Sequence, residues 1–293
     1  GSEMCIRDSL NVAVGGQGPA LVLLHGFPQT HYMWRTVAQL LAAHHTVIAP
    51  DLRGYGKSDK PIADDPTTYS KRTMGDDIVH ITRSLGIHRF GVVGHVRGAL
   101  VAVRAGLDHP EEITFLGILD VLPTLDTWAV LQGVHAKVAW HLYLMAQPAG
   151  LPEKMIAAVA PEFFSSFLDA WDPTGKTFTP EVRAYYIESS IQATNSIVAA
   201  FRATAGIDLD MDTADREAGK QLTMPVAVIS QDWGGQLGFD AATLWRAWAP
   251  NFTYQSTSSG HFMAEENPDE IVAFIRELDG RERQHNESDS PCQ

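Results

Sequence analysis

The residues best suited to chemistry stand at the ends of apolar runs. Gly94-His95-Val96-Arg97-Gly98 follows the run Phe90–Val93 and leads into a small-residue helical pattern, Gly98–Leu107. Glycine at both ends suits a sharp strand-to-helix turn that presents its central side chain from strained backbone. Further on, Asp120 ends the run Thr114–Leu119, and Asp232 follows Pro225–Ser230. His261 stands in Ser259-Gly260-His261-Phe262, after a short run near Phe252–Gln255 and before a last helical pattern. The order turn, acid, histidine is that of a covalent hydrolytic site, in which a carboxylate orients an imidazole base. Asp120 and Asp232 both satisfy that order, and the one that is not the acid would be a turn or helix cap. The centre of the turn is Val96, which has no lone pair with which to attack carbon.

Each feature alone is weak. Most G-x-x-x-G matches are only turns, and a lone histidine is usually structural. Their combination, with His25-Gly26-Phe27-Pro28 after the run Ala20–Leu24, is specific. In such an arrangement the backbone N–H groups of Phe27 and Arg97 would form an oxyanion hole.

The elements that must position these residues are legible. Ala20–Leu24, Thr46–Ala49, Phe90–Val93, Thr114–Leu119 and Pro225–Ser230 are short runs rich in Val, Leu and Ile, as in strands buried on both faces. Amphipathic patterns at Thr73–Leu85, Ala241–Ala249 and Asp269–Leu278 read as helices between and after them. The alternation predicts an α/β fold, a mostly parallel central sheet flanked by helices. It fails over 121–223, an aromatic, helical stretch too long for a loop. That stretch is expected to be an inserted helical cap on a core formed by 10–120 and 224–279. His44-His45, just before a strand, is expected to face solvent.

Bulk properties narrow the function. The 293 residues carry a formal net charge of -13, which disfavours nucleic acid as a partner. A small anion remains compatible where a local cation receives it. Two cysteines, Cys5 and Cys292, make neither a disulfide framework nor a metal cluster, which fits a cytoplasmic setting. No apolar run is long enough to span a bilayer, and no signal peptide is visible at the start. Gly1–Ser9 reads as a non-native leader, and Gly280–Gln293 as a disordered polar tail. Gly54-x-Gly56 lacks the third glycine of a dinucleotide fingerprint, so neither cofactor nor metal is expected.

Five motifs together resemble the haloacetate (fluoroacetate) dehalogenases of the α/β-hydrolase superfamily and, more distantly, the epoxide hydrolases. They are His25-Gly26-Phe27-Pro28-Gln29-Thr30, the run Asp51 to Pro61 (DLRGYGKSDKP), Gly94-His95-x-Arg97-Gly98, Leu119-Asp120-x-Leu122-Pro123-Thr124 and Ala146-Gln147-Pro148. The resemblance spans about Leu10 to Leu278, without the family's leading edge strand. It implies hydrolysis of small 2-halo acids: an elbow aspartate displaces halide, and histidine-activated water splits the resulting ester. It also implies a homodimer.

Carried over residue by residue, the resemblance makes Asp120 the acid and His261 the base. Arg97 becomes a carboxylate-binding arginine and His141 a halide-site histidine. Trp128 and Trp171 become pocket aromatics. Four positions depart from the family pattern. The nucleophile position is Val96, the second arginine falls at Leu100, the halide-site tryptophan at Leu142 and the halide-site tyrosine at Phe201. Three functions stay open: a dehalogenase-type hydrolase with its nucleophile altered, a nucleophile-free acid–base enzyme using His261 and Asp120, and a non-catalytic small-ligand-binding protein.

Overall fold

The computed structural model describes residues 9–289 apart from Pro173, Trp233, Gly234 and Gln236. The leader read at Gly1–Ser9 lies outside the described residues except for Ser9, whose N–H and hydroxyl both donate to Asp59 Oδ2, at 2.6 and 2.9 Å.

Seven strands among the described residues form one sheet: β1 (Val12–Gly16), β2 (Ala20–Leu24), β3 (Thr46–Pro50), β4 (Phe90–His95), β5 (Ile113–Leu119), β6 (Val226–Ser230) and β7 (Phe252–Ser256). Their order is β1-β3-β2-β4-β5-β6-β7. Only β1 runs antiparallel to its neighbour, and the other pairings are parallel. The register aligns the carboxyl ends of the central strands. Leu24 pairs with Gly94, His95 with Leu119, and Leu119 with Ile229. His25, Val96, Asp120 and Gln231 therefore stand side by side along one rim, where open α/β sheets bind ligands.

Alternation along the strands splits the core between the two faces. Leu21, Leu23, Val93, Leu119 and Ile229 pack on one face. Val22, Leu24, Val92, Ile118 and Val228 pack on the other. Helices cover both: α1 (Arg35–Leu41), α2 (Lys71–Ser84) and α3 (Arg97–Asp108) lie between the early strands. Between β5 and β6 the described residues form helices and turns but no strand: α4 (Thr124–Val130), α5 (Trp140–Met145), α6 (Leu151–Ala158), α7 (Ala160–Trp171), α8 (Pro180–Gln192), α9 (Thr194–Thr204) and α10 (Ile207–Glu217). The chain ends with α11 (Ala241–Arg246), α12 (Met263–Glu266) and α13 (Pro268–Asp289).

The helical insertion is pinned to the sheet layer by charge. Arg104 on α3, its side chain 3% exposed, meets Asp212 at 2.7 Å and Asp215 at 2.6 Å on α10. Beside it the Lys71 ammonium lies 3.5 Å from Asp208 on the same helix.

Three expectations need correction. β1 did not read as a strand, because Val12–Gly16 is mostly exposed and ends in two glycines, with no continuous apolar run. Of the tail expected to be disordered, Gly280–Gln293, the part up to Asp289 is helical, since α13 continues well past Leu278, and the last four residues lie outside the described residues. Arg281 anchors that extension on Thr253 Oγ1 at 2.7 Å, and Arg283 pairs with Asp279 one turn earlier. His45 does not face solvent: it is 2% exposed and sits 3.5 Å from Asp279, which α13 brings against it.

Candidate active site

The turn between β4 and α3 is strained at its apex. Val96 has φ 47° and ψ −105°, a positive-φ conformation that is an outlier for a β-branched side chain. The surrounding packing holds it there. Val96 N–H donates to Leu119 O at 2.9 Å, and Leu100 N–H donates to Val96 O at 3.2 Å. The flanking glycines are required by close approach. A Cβ on Gly94 would meet Ala99 N at 2.4 Å, and one on Gly98 would meet the Leu24 and His25 carbonyl oxygens at 2.5 Å. No larger residue fits either place.

Asp120 continues from β5, also at positive φ, 53°. Its Oδ2 lies 2.6 Å from His261 Nδ1. The carboxylate also accepts from Gln231, whose backbone N–H reaches Oδ1 at 3.0 Å and whose side-chain amide reaches Oδ2 at 2.7 Å. Burial alone would raise the Asp120 pKa. The bonds from His261 and Gln231 outweigh burial and hold it below the ordinary aspartate value. Asp232 is exposed and accepts from Gly235 N–H at 2.9 Å, which is turn capping. Of the two candidate acids, Asp120 is the one that meets His261.

The other imidazole nitrogen, His261 Nε2, is buried without a partner. His95, buried beneath, takes part in a 2.8 Å bond between its Nε2 and the His261 carbonyl, which fixes the histidine loop on β4. Burial, reinforced by His261, lowers the His95 pKa to about 3, so this ring is neutral.

Above the rim lies a cavity of about 160 Å³ between the sheet and the helical insertion. Phe27, Val96, Arg97, Leu100, Asp120 and His261 line it from the core; Trp128, His141, Leu142, Trp171 and Phe201 line it from the insertion. Every residue singled out from sequence is thus brought to one place, with the exception of Asp232. The Trp171 ring lies tilted against the His261 ring, centroids 4.5 Å apart, and His141 faces Phe27, Trp171 and Phe201. Trp128 Nε1 donates to Thr204 O at 3.3 Å.

Arg97 is the cation of this cavity. Its guanidinium lies 4.0 Å over the Phe201 ring and donates through Nη2 to Ala200 O at 2.6 Å and Thr204 Oγ1 at 2.7 Å. Its Nε has no partner, and no described carboxylate lies within ion-pair distance of it. Burial lowers its pKa, yet a guanidinium stays protonated in proteins. Among the described residues, the Phe27 and Arg97 backbone N–H groups donate to no protein acceptor.

Comparison with known proteins fits this geometry. Residues 19–268 match the family described as alpha/beta hydrolase fold. The chain belongs to the α/β-hydrolase-fold family. Its relatives include the fluoroacetate dehalogenase of Burkholderia sp, 38% identical over 92% of this chain and 90% of that one. The soluble epoxide hydrolase of Corynebacterium sp. (strain C12) is 32% identical over 90% of this chain and 91% of the other. A solved structure from Nostoc sp PCC 7120, assigned to the α/β hydrolases, superposes with a TM-score of 0.88 at 37% identity, covering 93% and 94% of the two chains.

Within this α/β hydrolase, sequence reasoning missed several contributors. Gln231 directly follows β6, and its place at a strand end was the available signal. His95 and Thr204 became visible only through the packing of β4 and α9. Leu237 and Phe239 also line the cavity, from the segment before α11. A cluster of His109, Glu111 and Glu112 has metal-ligand spacing. It lies at the amino end of β5, away from the rim, and is already engaged: His109 with Asp76, Glu112 with Arg83. Among the described residues no helix is long and apolar enough to cross a membrane.

Proposed function

We propose that this chain is a dehalogenase-type α/β hydrolase whose cavity receives a small organic acid and whose covalent step is blocked at Val96. One observation carries the reading. The strained apex of the β4–α3 turn holds valine, beside a histidine whose Nε2 has no protein partner and whose Nδ1 is bonded to a buried aspartate.

With aspartate at that apex, the chemistry would be direct. A carboxylate oxygen forms a bond to the α-carbon of a 2-halo acid as the carbon–halogen bond breaks and halide departs. His261 then takes a proton from water and the hydroxide adds to the ester carbonyl. The intermediate collapses, the departing alkoxide takes the proton from His261 and leaves as the 2-hydroxy acid, and the carboxyl loses its remaining proton to solvent, regenerating the aspartate. Asp120 holds the imidazole in the required orientation and stabilises its protonated form. The Phe27 and Arg97 N–H groups receive the oxyanion. Valine offers no electron pair, so the first bond cannot form. Loss of a covalent nucleophile lowers turnover by about a millionfold, roughly 8 kcal/mol of barrier.

Halide release from chloroacetate and fluoroacetate tests this, comparing the chain with its Val96→Asp variant. Release by the variant alone supports the reading. No release by either means that the cavity serves another chemistry. A second reading, proton transfer without a covalent intermediate, is favoured by the intact Asp120–His261 pair. It predicts activity that survives with Val96 in place and is lost in His261→Ala. If ligands bind and His261→Ala changes nothing, the chain is a binding protein.

A further inference from the structure

Three residues that line the cavity each carry a buried nitrogen without a protein partner: Arg97 Nε, His141 Nδ1 and His261 Nε2. Their residues are 4%, 8% and 7% exposed, so water cannot freely satisfy them. Leaving such groups unpaired is costly unless a ligand supplies the partner. One negative charge from Asp120 already serves His261. Among the described residues no carboxylate lies within ion-pair distance of Arg97, and Asp208, which acts on it from farther off, is paired with Lys71. This points to an anionic head group.

The remainder of the wall is largely apolar, with the hydroxyls of Thr124, Thr127, Thr204 and Ser230 among its polar side-chain groups. Leu100, Leu122, Leu131, Leu142, Phe201 and Leu237 face the same space. Three of these, Leu100, Leu142 and Phe201, stand where the resemblance expected an arginine, a tryptophan and a tyrosine. Each exchange removes a hydrogen-bond donor, and all three lie on one cavity. A two-carbon acid would leave these leucines facing a void, whereas apolar cavities of about 150 Å³ accommodate a molecule of benzene size. This cavity is about 160 Å³.

We infer that the ligand is a monocarboxylate with an uncharged apolar tail of about benzene size, its carboxylate at Arg97 and its tail among the leucines and Phe201. This rests on the reading of the cavity as an organic-acid site and changes the class of acid from halogenated two-carbon to aliphatic or aryl. Selectivity comes from burial. Each methylene removed from water is worth about 0.8 kcal/mol, or roughly fourfold in affinity.

Titration calorimetry on the unaltered chain with hexanoate, phenylacetate, acetate and 1-hexanol tests the inference. Hexanoate and phenylacetate are expected to bind on the order of 100-fold more tightly than acetate, and at least tenfold more tightly than 1-hexanol. Leu100→Arg is expected to shift preference toward acetate by tenfold or more. Arg97→Leu, where it folds, is expected to abolish the preference of acid over alcohol. Acetate binding as tightly as hexanoate would overturn the apolar tail, and hexanol matching hexanoate would overturn the charged head. Absence of binding by all four probes would overturn the inference as a whole. None of these outcomes depends on halide release by Val96→Asp, so the two readings fail separately.

Discussion

His261 Nδ1 lies 2.6 Å from Asp120 Oδ2, while its Nε2 has no protein partner and Val96, at the expected point of attack, lines the same cavity as His261. The orienting half of a catalytic pair is therefore complete although its covalent partner is absent. In the Val96→Asp background this separates the two half-reactions. Adding His261→Ala should allow one equivalent of halide per chain and then stop, because the ester forms but water is not activated. Adding Asp120→Asn should slow steady turnover by about 10³–10⁴-fold while leaving the first equivalent. Rapid-quench halide measurement, with mass spectrometry of the ester, checks both. Multiple turnovers in the His261→Ala combination would remove His261 from the base role.

Val96 is also a source of strain. A β-branched residue at φ 47° costs on the order of 1–3 kcal/mol. Glycine adopts such backbone freely and gives back part of that strain in greater unfolded-chain entropy. Val96→Gly should raise the urea midpoint, equivalent to about 1 kcal/mol, and leave the slope of the transition unchanged. A lowered midpoint would show that valine's packing outweighs its strain.

Much of the rim was legible in the residues themselves, because strands buried on both faces must be continuous apolar runs. The residues at the ends of such runs, His25, Val96, Asp120 and Asp232, then fall on one edge of a parallel sheet. The choice between Asp120 and Asp232 was not legible. It depends on which carboxylate the loop at Gly260-His261 approaches, and that is set by His95 and by packing between α12 and the sheet. The neutral role of Gln231 was hidden for a similar reason, since an amide at a strand end carries no distinctive pattern. β1 escaped notice because an exposed edge strand buries too little to leave a periodic signal. His45 and the end of α13 each look solvent-facing when taken alone. Only the return of α13 across the loop before β3 buries His45 against Asp279.

His141 supplies a pH-dependent contribution. Its ring is enclosed by Phe27, Phe167, Trp171 and Phe201. Burial, with smaller contributions from Arg97 and His261, lowers its pKa from 6.5 to about 3. In the unfolded chain the same imidazole takes up a proton near pH 6.5. Its contribution to stability is thus complete above that pH and is lost progressively as pH falls toward 3. His141→Phe removes this contribution while keeping an aromatic ring. Urea midpoints of the variant should fall less steeply than those of the parent between pH 7 and pH 4. Parallel pH profiles would show that His141 is hydrated or protonated in the folded state.

Arg104 gives the corresponding test of how the helical insertion is held. Its buried guanidinium sits between Asp212 and Asp215 of α10 and also approaches Asp108 at 3.3 Å. Removing one partner from a buried ion cluster strands the others, at a cost of about 3–5 kcal/mol. Arg104→Met should show a loss of that size at pH 8. Asp212 is already held above its ordinary pKa by burial, which Arg104 only partly offsets. Without the arginine, Asp212 should take up a proton more readily on folding, so the variant's loss should shrink as pH falls toward 5. Native carboxylates with raised pKa bind more protons than unfolded ones, which favours the folded state at lower pH. Chemical denaturation at pH 8 and pH 5 measures both effects. A loss equal at the two values would mean that Asp212 remains ionised and hydrated, and that the contacts of Arg104 are packing rather than charge.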